Sequence, residues 1–193
     1  MIKKKEIFSV DIFENLETRY SLRRYSERKV EREKLEKCLR ASQLSPSACN
    51  AQPYTFVAVD DPALCAEVSD ALKSEAFRIN TFTKKTPCFV VIVSEPGNAT
   101  SKIGELLKDK NYSEYDAGIA AQSFCLCANE LGLGTCIMGW FDEKKLKKLL
   151  GVPEKKRIAL VIACGYPAEN AERPEKKRKP YEEVVRYNGY GKA

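Results

Sequence analysis

Three apolar runs too short for helices punctuate the chain: Tyr54 to Val59, Cys88 to Ser94 and Ile158 to Cys164. Pro53 and Pro87 precede the first two, and the β-branched content of all three predicts strands, with the Cys88 run buried. Elsewhere the apolar period lengthens to three and four. Leu35, Cys38, Leu39 and Ser42 share one face of a helix from about Glu31 to Ser42, which Pro46 stops. Asp61-Pro62 opens a helix to about Ala76, and a first helix runs from Ser9 to about Glu17. The longest pattern, Ser113 to Leu131, places Ala117, Ala121, Phe124, Ala128 and Leu131 on one face, where small side chains allow close packing against a second helix. After Gly132-Leu133-Gly134-Thr135 comes a short extended piece, Cys136 to Gly139. A helix then follows with Asp142 as cap, Leu146, Leu149 and Leu150 inside and Gly151 as stop. Helices separate consecutive strands, so the sheet is expected inside a mainly helical shell. Residues 95–112, rich in Gly, Asn, Ser and Lys, are expected to form a mobile flap with a short helix at most. No repeat or linker divides the chain, so residues 1–193 are read as one domain.

Composition narrows the chemistry. With 44% apolar and 31% charged residues, the 193-residue chain reads as a soluble globular domain that needs neither disulfide nor metal to hold a core. It contains no histidine, which removes Ser-His-Asp triads, Cys-His dyads, HExxH zinc sites and imidazole acid-base catalysis. Eight cysteines occur without a CxxC spacing and mostly in apolar runs, so buried free thiols in a reducing cytoplasm are expected, and no metal. Residues 117 to 141 carry one charge, Glu130, and are long enough to cross a bilayer. Gly132 and Gly134 divide them, however, and Gln122, Ser123 and Asn129 would need partners in lipid, so a core helix and a strand are expected.

The net charge of +6 is placed unevenly. Residues 1–40 carry 12 basic and 8 acidic side chains, residues 170–193 carry 7 and 4, and the middle is nearly balanced. If the two ends converge, they form an electropositive site for a phosphate or another small anion; otherwise they are two solvated ends. Near the first end, Arg19, Tyr20, Ser21 and Arg23 combine guanidinium forks with hydroxyls, a set that matches phosphate oxygens. Near the second, Lys176-Lys177-Arg178-Lys179-Pro180 also admits a nucleic-acid or localisation reading. The loop from Pro46 to Pro53 presents Ser47, Asn50 and Gln52, whose amides both donate and accept, as the edge of an imide-bearing ring requires. The glycines of Gly132 to Trp140 leave backbone N–H groups accessible beside a flat ligand. Alone, these segments read equally well as surface loop, turn and core strand.

Together and in this order, the arginine-serine segment, the PSACNAQP loop, the long helix, the GLGT segment with its following Phe141-Asp142 and the basic run before Glu182-Glu183-Val184-Val185 resemble the FMN-dependent nitroreductase family. The resemblance implies an α+β fold with a central, mainly antiparallel sheet enclosed by helices. It also implies an intertwined homodimer with two FMN molecules at the interface. Carried over by position, Arg19, Tyr20, Ser21 and Arg23 would meet the phosphate and the polar edge of the flavin, with Arg178 and Lys179 joining at the phosphate. Pro46, Ser47 and Asn50 would come from the partner chain. Ile137, Met138 and Gly139 would lie along the isoalloxazine, the Gly139 N–H directed at N5, and residues 170–193 would pack on the partner. The implied activity is hydride transfer from NADH or NADPH through flavin N5 to a nitroaromatic, a quinone or another small acceptor, by a ping-pong mechanism. Two departures bear on the acceptor: Tyr20 stands where many members have a second arginine, and the stretch before the long helix is short, which suggests an open site. No ferredoxin motif is fused to supply electrons. The competing readings are a flavin-binding carrier or sensor without turnover, and a nucleic-acid or metal-binding protein built on the KKRK run and the cysteines. Reductive dehalogenation, known in the family, has no dedicated signature in the sequence.

Overall fold

The protein is described from a computed structural model, which covers residues 11–98, 100 and 110–191. Most of the expected flap, residues 99 and 101–109, lies outside the described residues, as does the expected helix start at Ser9. Four strands, β1 (Tyr54–Val59), β2 (Cys88–Ser94), β3 (Gly134–Met138) and β4 (Arg157–Gly165), form one sheet in the order β1-β2-β4-β3. Every neighbouring pair is antiparallel. The runs are apolar throughout because both faces of the sheet are covered. Phe89, Val91 and Val93 point into one core layer with Val161, Ala163 and Met138, while Cys88, Val90 and Ile92 point into the other with Ile162 and Cys164.

The described residues form six helices: α1 (Ile12–Thr18), α2 (Arg32–Gln43), α3 (Pro62–Leu72), α4 (Tyr112–Glu130), α5 (Glu143–Leu150) and the exposed α6 (Tyr181–Val184). Cys65, Val68 and Leu72 of α3 and Leu146 of α5 fill the first layer; Leu35 and Cys38 of α2 with Ala117, Ala121, Phe124 and Ala128 of α4 fill the second. Side-chain caps set the starts. The carboxylates of Asp11, Asp61 and Asp142 accept from Phe13, Leu64 and Lys145 N–H at 2.9, 2.9 and 3.0 Å. Gly151, at φ +66°, turns the chain out of α5 as a left-handed stop.

The sequence reading runs α3 on to about Ala76, whereas the helix ends at Leu72. The reason is tertiary. Asn80 adopts the left-handed conformation (φ 53°) and its amide donates to the Leu72 carbonyl at 3.2 Å, while Ser74 and Ile79 pair as a bridge. No helix among the described residues is long and apolar enough to cross a membrane, and no group of acidic and cysteine side chains could hold a metal. All eight cysteines are free; six are buried, Cys127 is half-buried and Cys49 is exposed.

Candidate functional site

Strand β3 lies at one edge of the sheet, and the segment after α1 closes that edge. Ser21 pairs in parallel with Thr135, and the Leu22 N–H donates to the Thr135 carbonyl at 2.9 Å. Leu22 is 1% exposed and lies directly over Gly134, where a Cβ would fall 2.3 Å from its Cδ2. Further along, Ser26 N–H donates to Tyr166 and Ala168 N–H to Arg24, so residues 21–26 are held from both ends.

A buried amide network fixes α1 on the last turns of α4. Asn15 donates to the Leu126 carbonyl at 3.1 Å and to Glu130 at 3.2 Å, and Asn129 donates to Asn15 Oδ1 at 3.1 Å and Thr18 Oγ1 at 2.8 Å. Arg19, the first residue past α1, is thereby set beside the C-terminal end of α4. The C-terminal tail crosses the same place: Arg173 donates to the Glu17 carbonyl and Lys176 to that of Leu16. The last carbonyls of α1 thus receive the tail cations.

The two basic ends of the sequence meet here. Burial, and then the Arg19, Arg178 and Arg173 guanidiniums, push the Lys176 ammonium below its ordinary pKa, against an opposing pull from Glu17. Arg19 and Arg23 also oppose the upward push of burial on the Cys136 thiol of β3, which ties the cluster to the strand. Among the described residues none of Arg19, Arg23, Arg173, Lys176 and Arg178 is in an ion pair. A cavity of about 280 Å³ bordered by Arg19, Tyr20, Asn129, Thr135 and Arg173 adjoins one of about 550 Å³ bordered by Tyr20, Ser21, Arg23, Arg24 and Arg173. A gathered set of cations in no ion pair among the described residues, next to open space, fits a phosphate dianion.

The predicted residues divide into two groups. Arg19, Tyr20, Ser21, Arg23 and Arg178 come together beside β3, where Ile137 and Gly139 face outward while Met138 is buried and offers only its backbone. Lys179 is exposed at the end of the same tail segment. The Gly139 turn is braced: Asn80 donates to the Trp140 carbonyl at 3.0 Å and Asp142 N–H to the Ala71 carbonyl at 2.8 Å.

The loop carrying Pro46, Ser47 and Asn50 lies elsewhere. Both oxygens of the buried Asp116 carboxylate, in the first turns of α4, accept from Ala48 N–H at 3.1 Å. Ser47 Oγ accepts from Gln52 N–H at 3.0 Å, and the Gln52 amide donates to Asn50 Oδ1 at 3.2 Å. Cys49, Asn50 and Gln52 all have φ near +50° (51°, 50° and 47°), so the loop is a strained turn held by its anchors. From Asp116 to Asn129 a helix rises about 20 Å. One chain therefore keeps the loop and the cation cluster at opposite ends of α4. Asp116→Ala is expected to destabilise the fold by about 2 kcal/mol, because it leaves the Ala48 N–H without its charged acceptor, and to speed amide exchange across residues 47–52. Urea denaturation and hydrogen exchange check both; unchanged exchange would mean that Asp116 does not hold the loop.

Sequence reasoning missed Asn15, Asp116 and Arg173, and singled out Lys176 only within the basic run and Asn129 only as a polar residue of the long helix. Asn129 and Asp116 were legible as polar breaks in an otherwise small and apolar helix. Asn80, whose partners are distant in sequence, left no signal.

The chain is similar to several known proteins. A protein of Archaeoglobus fulgidus bearing the provisional name NADH dehydrogenase/NAD(P)H nitroreductase is 31% identical over 156 residues, 79% of this chain and 83% of the relative. An iodotyrosine deiodinase of Haliscomenobacter hydrossis is 25% identical over 193 residues, covering 89% of this chain and 86% of that one. Among solved structures, an FMN-dependent nitroreductase from Clostridium difficile R20291 superposes with a TM-score of 0.70 at 29% identity, over 93% of this chain and 100% of the other. The nitroreductase family model matches residues 16–166, from within α1 to the residue after β4, so that the arginine segment, the strained loop, α4 and β3 all fall inside the match and the chain belongs to the nitroreductase family.

Proposed function

We propose that the protein is an NAD(P)H-dependent FMN oxidoreductase that works in the cytoplasm as a homodimer, with each flavin bound between two chains. The observation that carries this reading is the cluster of Arg19, Arg173, Lys176 and Arg178, in no ion pair among the described residues, beside the start of β3. FMN, when bound, supplies hydride transfer between a nicotinamide and an acceptor through its N5. Arg19 and Arg178, with Lys179 at hand, would hold the phosphate; Tyr20, Ser21 and Arg23 would meet the polar edge of the ring system. Ile137 and the Met138 backbone would flank the ring, and the Gly139 N–H would serve as the donor toward its N5. The partner's Pro46, Ser47 and Asn50 complete the pocket. A two-fold axis across the middle of α4 brings each chain's loop to the other chain's cluster, which their separation within one chain forbids. Exposed apolar side chains of the two helices, Phe13 of α1 at 74% and Tyr115 of α4 at 56%, are available for such an axis to cover. Past the contacts with α1, the exposed Tyr181, Val184, Tyr187 and Tyr190 suit a tail that packs on the partner, within one domain of residues 1–193.

NADH or NADPH as donor and a nitro compound as acceptor follow the name of one relative, a quinone is the other acceptor that the resemblance implies, and the deiodinase relative supports a second reading with a halogenated phenol as acceptor. The test is spectral. The purified protein, given FMN, should retain about one per chain with a band near 450 nm, elute as a dimer, and lose the band on adding NADH or NADPH until an acceptor restores it. Protein that takes up no FMN overturns the reading. Flavin that no nicotinamide bleaches leaves a carrier or sensor instead. Nitroaromatic, quinone and halophenol acceptors compared side by side separate the two enzymatic readings.

A further inference from the structure

Helices α2 and α4 pack antiparallel, and polar bonds mark the level at each end of their seam. Lys34 donates to the Leu131 carbonyl at 2.9 Å, and two turns further along α2 the Ser42 hydroxyl donates to the Ala120 carbonyl at 3.1 Å. A side chain as short as serine reaches a backbone carbonyl only where two helices approach closely. Between these levels, one turn on from Lys34 and one turn back from Leu131, lie Cys38 and Cys127. Both belong to one core layer, Cys38 inside it and Cys127 packed against it. Cys38 is sealed in the core, whereas Cys127 is half-buried and reachable from solvent.

We propose that Cys38 and Cys127 form a peroxide-oxidisable dithiol that closes into a disulfide across the α2–α4 seam. The two sulfurs differ as attacking and resolving thiols must. The neighbouring Cys38 thiol, aided by the nearby Lys37 and opposed by burial and Glu130, lowers the Cys127 thiol below its ordinary value, while the same pairing together with burial raises Cys38. The Cys127 thiolate attacks hydrogen peroxide, forming an S–O bond as the O–O bond breaks and hydroxide leaves. The Cys38 sulfur then attacks that sulfur, forming the S–S bond and expelling the oxygen, which leaves as water with the Cys38 proton. Two thiols are oxidised by two electrons and one peroxide is reduced to water. The bond would fix α2, and with it the start of the strained loop after Leu44, to the middle of the molecule.

The test treats the full-length protein with hydrogen peroxide, unfolds it in iodoacetamide and maps the peptides by mass spectrometry. Cys38 and Cys127 are expected in one linked peptide pair that dithiothreitol separates. Cys38→Ser should leave Cys127 as a sulfenic acid that dimedone labels, and Cys127→Ser should leave Cys38 as fully alkylated as without peroxide. The wild-type map needs no substitution, so a variant that folds poorly does not decide the result. Full alkylation of both residues while the exposed Cys49 is oxidised would overturn the proposal, as would a link from either residue to any other cysteine.

Discussion

Arg19→Ala is expected to weaken FMN binding roughly 30-fold while leaving the melting temperature nearly unchanged. A charge-assisted hydrogen bond to phosphate contributes about 2 kcal/mol, and that energy corresponds to the stated ratio of dissociation constants. The fold should not suffer, because the guanidinium is in no ion pair among the described residues. The backbone N–H of Arg19 still closes α1 on the Asn15 carbonyl at 2.9 Å. Excess FMN should restore turnover. Arg23→Ala should weaken binding less, since its guanidinium, 6.0 Å from the centre of the Phe82 ring, also engages the Ser21 carbonyl within its own segment. Cys136→Ala is the matching control: its side chain is 4% exposed and packs with Met138 and Leu22 in the core, so flavin and turnover should be kept at a cost of about 1 kcal/mol in stability. Flavin titration and nicotinamide oxidation on the three variants decide it. If Cys136→Ala loses turnover with FMN still bound and Arg19→Ala binds FMN like the wild type, the chemistry is centred on the thiol.

The second large effect concerns the backbone under the site. Gly134→Ala should destabilise the protein by about 3 kcal/mol, because the new Cβ would lie 2.3 Å from Leu22 Cδ2 and 2.8 Å from Leu22 Cβ. A flexible side-chain end could move aside, but Leu22 Cβ is fixed by the chain and the residue is 1% exposed. Relief requires lifting Ser21 and Leu22 off β3, so FMN affinity should fall together with stability. Gly132→Ala makes the contrast: nothing lies within 4 Å of its Cβ, and only the strain of φ +75° opposes it, about 1 kcal/mol. Urea denaturation of both, with flavin titration, separates a packing clash from a conformational penalty. Equal midpoints for the two variants would mean that the segment does not lie on the strand as described.

Much of this was legible in the chain. β1 and β2 coincide with their apolar runs, and α5 with its Asp142 cap and Gly151 stop, because these boundaries are set by residues within the element. The end of α3 was not, since Asn80 terminates it from beyond the helix. β3 begins at Gly134 rather than Cys136 because its register against Gly165 and the cover of Leu22 are tertiary facts. Within the site, the arginine segment and the basic tail stood out as charge excess, but not which tail cations face Arg19. That choice depends on where the tail crosses the α1 carbonyls, and it falls on Arg173 and Lys176 as well as Arg178.

The length of α4 has a thermodynamic consequence. In the proposed dimer each chain carries two half-sites that its own helix keeps apart, so an isolated chain can offer a flavin only half of its contacts. Cofactor binding and subunit association then become linked equilibria: free FMN shifts monomers toward dimers by mass action, and dilution that separates the chains releases the cofactor. The apparent affinity for FMN would depend on protein concentration, and flavin loss on dilution would report dissociation of the subunits rather than a defect in the pocket.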